Sequence, residues 1–195
     1  MMHPDTKLAF INDSIGHGVI ATKLIPAGTI TWVLDNLDTE FTAMQFNALK
    51  AEQKKYLAIY SYRNAKGNYI LCWDHSRFVN HSFNSNCLCT AYNFEIAIRD
   101  IQPGEQLTDD YGYLNVEEPF EPIPEVGERR LVKPDDLFHY HAEWDEKLNQ
   151  VFPKIINLKQ PLRSFFETND WERLQKIAKG EYAMESILKN YYTTA

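Results

Sequence analysis

The sequence predicts a mostly β fold with a helical insert, followed by a helical C-terminal appendage. Three observations predict it. Before Tyr113 the chain breaks into short stretches of β-branched and aromatic residues separated by glycine, proline and asparagine. Thr42 to Tyr60 interrupts them with a run that lacks Gly and Pro and is rich in Ala, Gln, Lys and Leu, which suits a helix. After Tyr113 the composition changes, and apolar residues then recur at helical spacing.

Taken in order, Leu8 to Ile11 is a short apolar strand, and Gly16-His17-Gly18 separates it from a second strand, Val19 to Leu24. Ile25-Pro26-Ala27-Gly28 has the proline and glycine placement of a tight turn. Thr29 to Leu34 supplies the return strand. The spacing of Ala21, Lys23, Ile25 and Gly28 is echoed by Ala97, Arg99, Ile101 and Gly104, which predicts two hairpins of similar build. Asn64 to Asn68 reads as a turn and Tyr69 to Trp73 as a strand. From Glu117 to Glu128 there are three prolines and five glutamates, the composition of an extended acidic connector. Leu137, Tyr140, His141, Trp144 and Leu148 then mark a helix over Pro134 to Phe152. Trp171 to Ile177 and Tyr182 to Tyr192 read as helices as well.

Composition narrows the function classes. At 195 residues, with 44% apolar and 24% charged residues, the chain has the ordinary mix of a globular protein that buries a core. No apolar run approaches the roughly 18 residues a membrane span needs, and no secretory signal is visible. Three cysteines, Cys72, Cys87 and Cys89, make an odd count that suits reduced thiols rather than a disulfide framework. An intracellular protein, cytoplasmic by this reading, is expected, with no membrane partner. The formal charge of −7 argues against direct nucleic-acid binding and favours basic partners.

Gly16-x-Gly18-x-x-Ala21, with Asp38 further on, also fits a loose dinucleotide-binding fingerprint. That reading needs a helix to start at the second glycine, whereas Val19 to Thr22 favours a strand and Pro26 ends the segment early.

Two strings carry more chemistry than the rest. The first is Arg77-Phe78-Val79-Asn80-His81-Ser82-Phe83-Asn84-Ser85-Asn86-Cys87; the second is Gly104-Glu105-Gln106-Leu107-Thr108-Asp109-Asp110-Tyr111-Gly112-Tyr113. Together, in this order, they resemble the SET-domain protein-lysine methyltransferases. The resemblance covers about Lys7 to Tyr113 and implies a SET-type β-clip fold with a pseudoknot, in which the chain threads a loop to bring the two strings together. On it, residues 1–116 are expected to be the catalytic domain, 117–133 the connector and 134–195 the helical appendage.

The resemblance also implies site residues. Ile15, Gly16, His17 and Gly18 would line the pocket for S-adenosylmethionine, with Asn80, His81 and Arg77 completing the cofactor side. Tyr111 matches the catalytic tyrosine, and Asp109 and Tyr113 fall on the substrate channel. The implied reaction is S-adenosylmethionine-dependent methyl transfer to a lysine amine of a protein or peptide. The alternative is a non-catalytic SET-like module that binds a peptide or partner.

Departures from the pattern matter. Phe83 stands where many members have cysteine, and Ser85 where they have proline; no cysteine follows Cys89, so the family's trailing zinc segment has no ligands here. A separate site from Cys87, Cys89, His139 and His141 is disfavoured, since residues two apart suit a strand rather than a helix face, and no metal is expected. Asp109 replaces an aromatic residue. Strand periodicity puts it on the Tyr111 face, where a carboxylate would hold lysine in its charged form.

Overall fold

A computed structural model of the protein describes residues 1–193. Ten strands lie between Thr6 and Asp109, arranged in four small sheets. β1 (Thr6–Asn12) and β2 (Gly16–Ala21) form an antiparallel hairpin. Its turn is made by Asn12, whose side-chain oxygen accepts the N–H groups of Ser14 at 3.0 Å and Ile15 at 2.9 Å. Gly16-His17-Gly18 therefore belongs to the second strand and does not separate the two, contrary to the sequence expectation. No helix follows it, so the dinucleotide fingerprint has no structural support.

β3 (Ile30–Val33) pairs with β9 (Phe94–Ala97), which also pairs with β8 (Cys87–Cys89). β4 (Thr39–Phe41), β6 (Tyr69–Leu71) and β5 (Ser61–Arg63) make a third sheet in that spatial order. The helical insert is two helices, α1 (Ala43–Ala48) and α2 (Ala51–Tyr60), not one. Leu49 is extended at the break, and the Gln53 side chain caps the Lys50 N–H at 3.0 Å, starting the second helix afresh.

The two echoing segments are not separate hairpins. They pair with each other. Ile25 and Ile101 exchange both backbone hydrogen bonds, at 3.0 and 2.9 Å. Gly28 N–H donates to Ala97 O and Gly104 N–H to Ala21 O, both at 2.8 Å; Ala97 N–H to Thr29 O and Ala21 N–H to Glu105 O are both 2.9 Å. The repeated spacing thus records a local two-fold relation. Gly28 and Gly104 occupy equivalent turn positions at φ +96° and +86°, where a side chain would be strained.

Over the described residues the chain is about 33% helical and 22% strand, so "mostly β" holds for the part before Tyr111 and not for the whole. α3 (Asp136–Val151) and α4 (Thr168–Ala178) lie after the connector. Leu137, Trp144, Leu148, Val151 and Leu174 from these helices share one core with Ile30, Val33, Leu88, Phe94 and Ile96 of the central sheet. Tyr182 to Tyr192 is not a helix. Only Ile187–Asn190 coils, as a short 3₁₀ turn. Its surroundings take the backbone donors instead: Glu185 N–H binds the Tyr92 hydroxyl at 2.7 Å and Ile187 N–H binds Asp145 at 2.8 Å. The connector folds back on itself, with Phe120 and Val132 exchanging backbone bonds at 3.1 and 3.0 Å.

Candidate functional site

The two sequence strings meet. β7 (Asn80–His81) and β10 (Thr108–Asp109) form a parallel pair in which Thr108 faces Asn80 and Asp109 faces His81. Two such short strands would not hold together alone, and side chains fasten them. Asn86 Oδ1 accepts the Thr108 N–H at 2.9 Å while its Nδ2 donates to Gln106 O at 2.7 Å. Ser82 N–H donates to Asp109 O at 2.9 Å. Asn80 Nδ2 reaches the glycine strand, donating to His17 O at 3.1 Å and to Gln106 Oε1 at 3.0 Å.

The glycines acquire a structural reason here. A Cβ on Gly18 would come within 2.5 Å of Gln106 Oε1 and 2.7 Å of Asn80 Nδ2, so the missing side chain is what lets these amides approach. Gly16, at φ +79°, is in the left-handed region that favours glycine. Ile15 is half-buried beside it, and His17 is exposed with its ring edge-on to Phe10 and Phe78.

Tyr111 opens a 3₁₀ turn, Tyr111–Tyr113, capped by Asp110, which accepts the Gly112 N–H at 3.0 Å. Its hydroxyl donates to Val79 O at 2.7 Å and its backbone N–H donates to His81 Nδ1 at 3.1 Å. Tyr111 lines a cavity of about 570 Å³ together with Trp32, Tyr62, Arg77, Glu95, Asp109 and Phe120. Burial pushes the phenol well above its usual range, with the charges of Asp109 and Glu95 adding to the effect. It stays neutral and remains a donor.

His81 is half-buried, with Phe83, Tyr111 and Phe120 edge-on around its ring. Burial lowers its pKa to about 4, helped by the Arg129 charge, so the ring is neutral at pH 7. Arg77 donates to Cys72 O at 3.2 Å and Trp73 O at 2.8 Å. Two nitrogens, His81 Nε2 at this corner and Arg77 Nε in the cavity wall, are buried without a hydrogen-bond partner.

Asp109 and Tyr113 part company. Asp109 is 5% exposed and lines the cavity; Tyr113 is not among its lining residues and packs edge-on against Trp144 in the core. Tyr113 backs the site instead, donating its hydroxyl to Asp109 Oδ1 at 2.7 Å. Asp109 shares the cavity wall with Glu95, a residue that sequence reasoning passed over, and each carboxyl shifts the other's protonation. The signal for it existed: Glu95 is the one charge in Phe94-Glu95-Ile96-Ala97, a strand buried at all four positions.

Arg129 was also missed. It pairs with Asp110 and, at 2.7 Å, with Asp136, and its guanidinium lies over Phe83 and Tyr140, 4.5 Å from each ring centroid. It joins the Tyr111 turn to α3. Glu125 on the same connector accepts the Ser82 hydroxyl and the Phe83 N–H, both at 3.0 Å. Among the described residues, no group of three or more His, Cys, Asp or Glu side chains is placed to hold a metal ion, and no helix is long and apolar enough to cross a membrane.

Comparison with known families gives one match: residues 16–112 fit the family model described as SET domain. No curated protein matches the chain.

Proposed function

Residues 16–112 make this chain a SET-domain protein, and from that premise we propose that it transfers a methyl group from S-adenosylmethionine to the lysine amine of a protein or peptide. The observation that supports this most is the parallel β7–β10 pair, which sets the Asn80–His81 corner beside the Tyr111 turn. The bonds of both Ser82 and Asn86 to residues 106–109 fit the threaded crossing expected of the family.

His81 Nε2 at the corner and Arg77 Nε in the cavity wall are buried and unpartnered, and both suit a ligand rich in hydrogen-bond acceptors. Ile15, Gly16, His17 and Gly18, with Arg77, Asn80 and His81, would hold the cofactor. When bound, S-adenosylmethionine supplies an electrophilic methyl on a positively charged sulfur. The chain's own groups do the rest. Trp32, Tyr62, Tyr69 and Phe120 give the cavity apolar walls suited to a lysine stem, and they exclude water from its end. The neutral Tyr111 phenol orients the amine, and holding both reactants in place supplies much of the rate. The net charge of −7 favours a basic substrate segment.

Calorimetry with S-adenosylmethionine, followed by labelled methyl transfer to a panel of basic proteins, tests the proposal. Binding followed by label on lysine supports it; absence of both overturns it. One observation favours a second reading. Aromatic rings that line the cavity together with the acidic Glu95 and Asp109 also suit one that merely retains a cation, as a peptide-binding module would. Peptide binding without cofactor binding would favour that module.

A further inference from the structure

We propose that Glu95 and Asp109 work as one proton-sharing pair in the cavity wall, receiving the ammonium of the incoming side chain and taking its proton. The inference rests on the lysine-directed reading above.

Both residues are at least nine-tenths buried, at 9% and 5% exposure, yet both line the cavity that holds Tyr111. None of the ion pairs among the described residues involves either of them. Buried carboxylates are ordinarily paired with a cation or neutralised. Of the other charged residues that line the cavity, Arg63 pairs with Glu117, Arg77 donates to the Cys72 and Trp73 carbonyls, and Glu118 is exposed. One proton between Glu95 and Asp109 leaves the pair itself with a single negative charge, which an ammonium would complete. A second, independent feature points to an occupant. Trp32 lines the same cavity at 3% exposure, and its indole N–H has no acceptor. Aromatic rings, whose faces attract cations, line the same cavity.

The pair is built to keep its charge and then give it up. Burial favours the protonated form of Glu95, which leaves the charge of the pair on Asp109, and Tyr113 donates to Oδ1 of Asp109. Burial nevertheless holds Asp109 up at about 6, so it is ionised at neutral pH and still basic enough to accept a proton. An ammonium beside it loses one N–H bond and Asp109 gains one O–H bond. Two buried charges become none, which a low-dielectric site favours. The amine keeps the electron pair, and Asp109 returns the proton to water when the product leaves. The carboxylate that would oppose methylation as a fixed charge thus serves it as an acceptor.

The thiols and phenols near the pair stay protonated across the tested range. Cys72, Cys87 and Cys89 and the phenols of Tyr62, Tyr111 and Tyr113 are all pushed up by burial and stay protonated. Asp110 is ion-paired with Arg129, and His81 and His75 are lowered by burial.

The test is calorimetric binding of a single-lysine peptide to the full chain without cofactor, at about pH 5 and about pH 7.5, in buffers of differing ionisation enthalpy. Affinity should rise about tenfold between the two. Binding should expel up to about one proton at the lower pH and none at the higher. A norleucine peptide should show neither effect. Asp109→Asn should bind more weakly by about tenfold at the higher pH and lose the pH dependence. Lysine-peptide binding that is undetectable, or independent of pH with no proton exchange, overturns the inference using the unaltered protein alone. Methyl transfer to lysine alongside such pH-independent binding would remove the pair's role and leave the methyltransferase reading standing. Absence of cofactor binding would remove that reading instead.

Discussion

The backbone N–H of Tyr111 donates to Nδ1 of His81 at 3.1 Å. That bond makes Nδ1 the acceptor, so the neutral ring carries its proton on Nε2, the buried nitrogen without a partner. One hydrogen bond therefore joins the two motifs and presents a donor at the Asn80–His81 corner.

The same residues predict an acid response. His81 falls from 6.5 to about 4 on folding, so its stabilising effect is complete above pH 6.5 and is lost as pH falls toward about 4. Asp109 rises from 3.8 to about 6, so its contribution is complete below 3.8 and is lost as pH rises through about 6. The two oppose each other. Thermal melts should show His81→Gln losing less stability than wild type between these limits, and Asp109→Asn losing more. Changes in the same direction would contradict the assignment.

Gly18→Ala should damage the site through packing. The new methyl meets Gln106 Oε1 and Asn80 Nδ2 at 2.5 and 2.7 Å; both are ends of flexible side chains that can swing away, so relieving the overlap costs about 1 kcal/mol, the low end for overpacking. Denaturant unfolding measures the loss, and calorimetry with S-adenosylmethionine should show weaker binding as Asn80 shifts. An unchanged midpoint and affinity would mean that the amides do not pack there.

Arg129→Met should be among the more costly single changes. Asp110 and Asp136 have side chains only 2% and 4% exposed, and removing their shared partner strands both charges. Breaking such a buried pair costs about 3–5 kcal/mol. Chemical denaturation gives the number, and adding Asp110→Asn and Asp136→Asn should restore part of it. A loss under about 1 kcal/mol would show that the network is solvated.

Cutting the chain after Asn115 should abolish folding rather than merely uncover a groove. Leu88, Phe94 and Ile96 are no more than 1% exposed because the C-terminal helices cover them. Circular dichroism of the truncated chain should lack a cooperative melt. Leu148→Ala offers a milder probe, expected to cost about 2–5 kcal/mol.

Local chemistry made much of this legible. β3, α3 and the turns at Gly28 and Gly104 follow from proline, glycine and apolar spacing that a reader sees within a few residues. The motif strings named Asn80, His81 and Tyr111, and the structure brings these three together. What stayed hidden was non-local. The Ile25–Ile101 pairing shows as a repeated spacing, yet nothing in the spacing says that the copies face each other. Tyr113 follows Tyr111 by two residues, but the 3₁₀ turn rotates it out of the cavity and into the core. Glu95 became meaningful only once β9 placed it beside Asp109.

Mass spectrometry of a lysine-bearing basic protein, incubated with S-adenosylmethionine and either wild type or Tyr111→Phe, decides whether the Tyr111 hydroxyl serves methyl transfer to lysine. Wild type should add methyl mass to a lysine side chain. The variant, losing only the hydroxyl now bound to Val79 O, should melt within about 1–2 kcal/mol of wild type and transfer on the order of 100-fold more slowly. Equal transfer by the two proteins, or methyl found on a side chain other than lysine, would contradict the account.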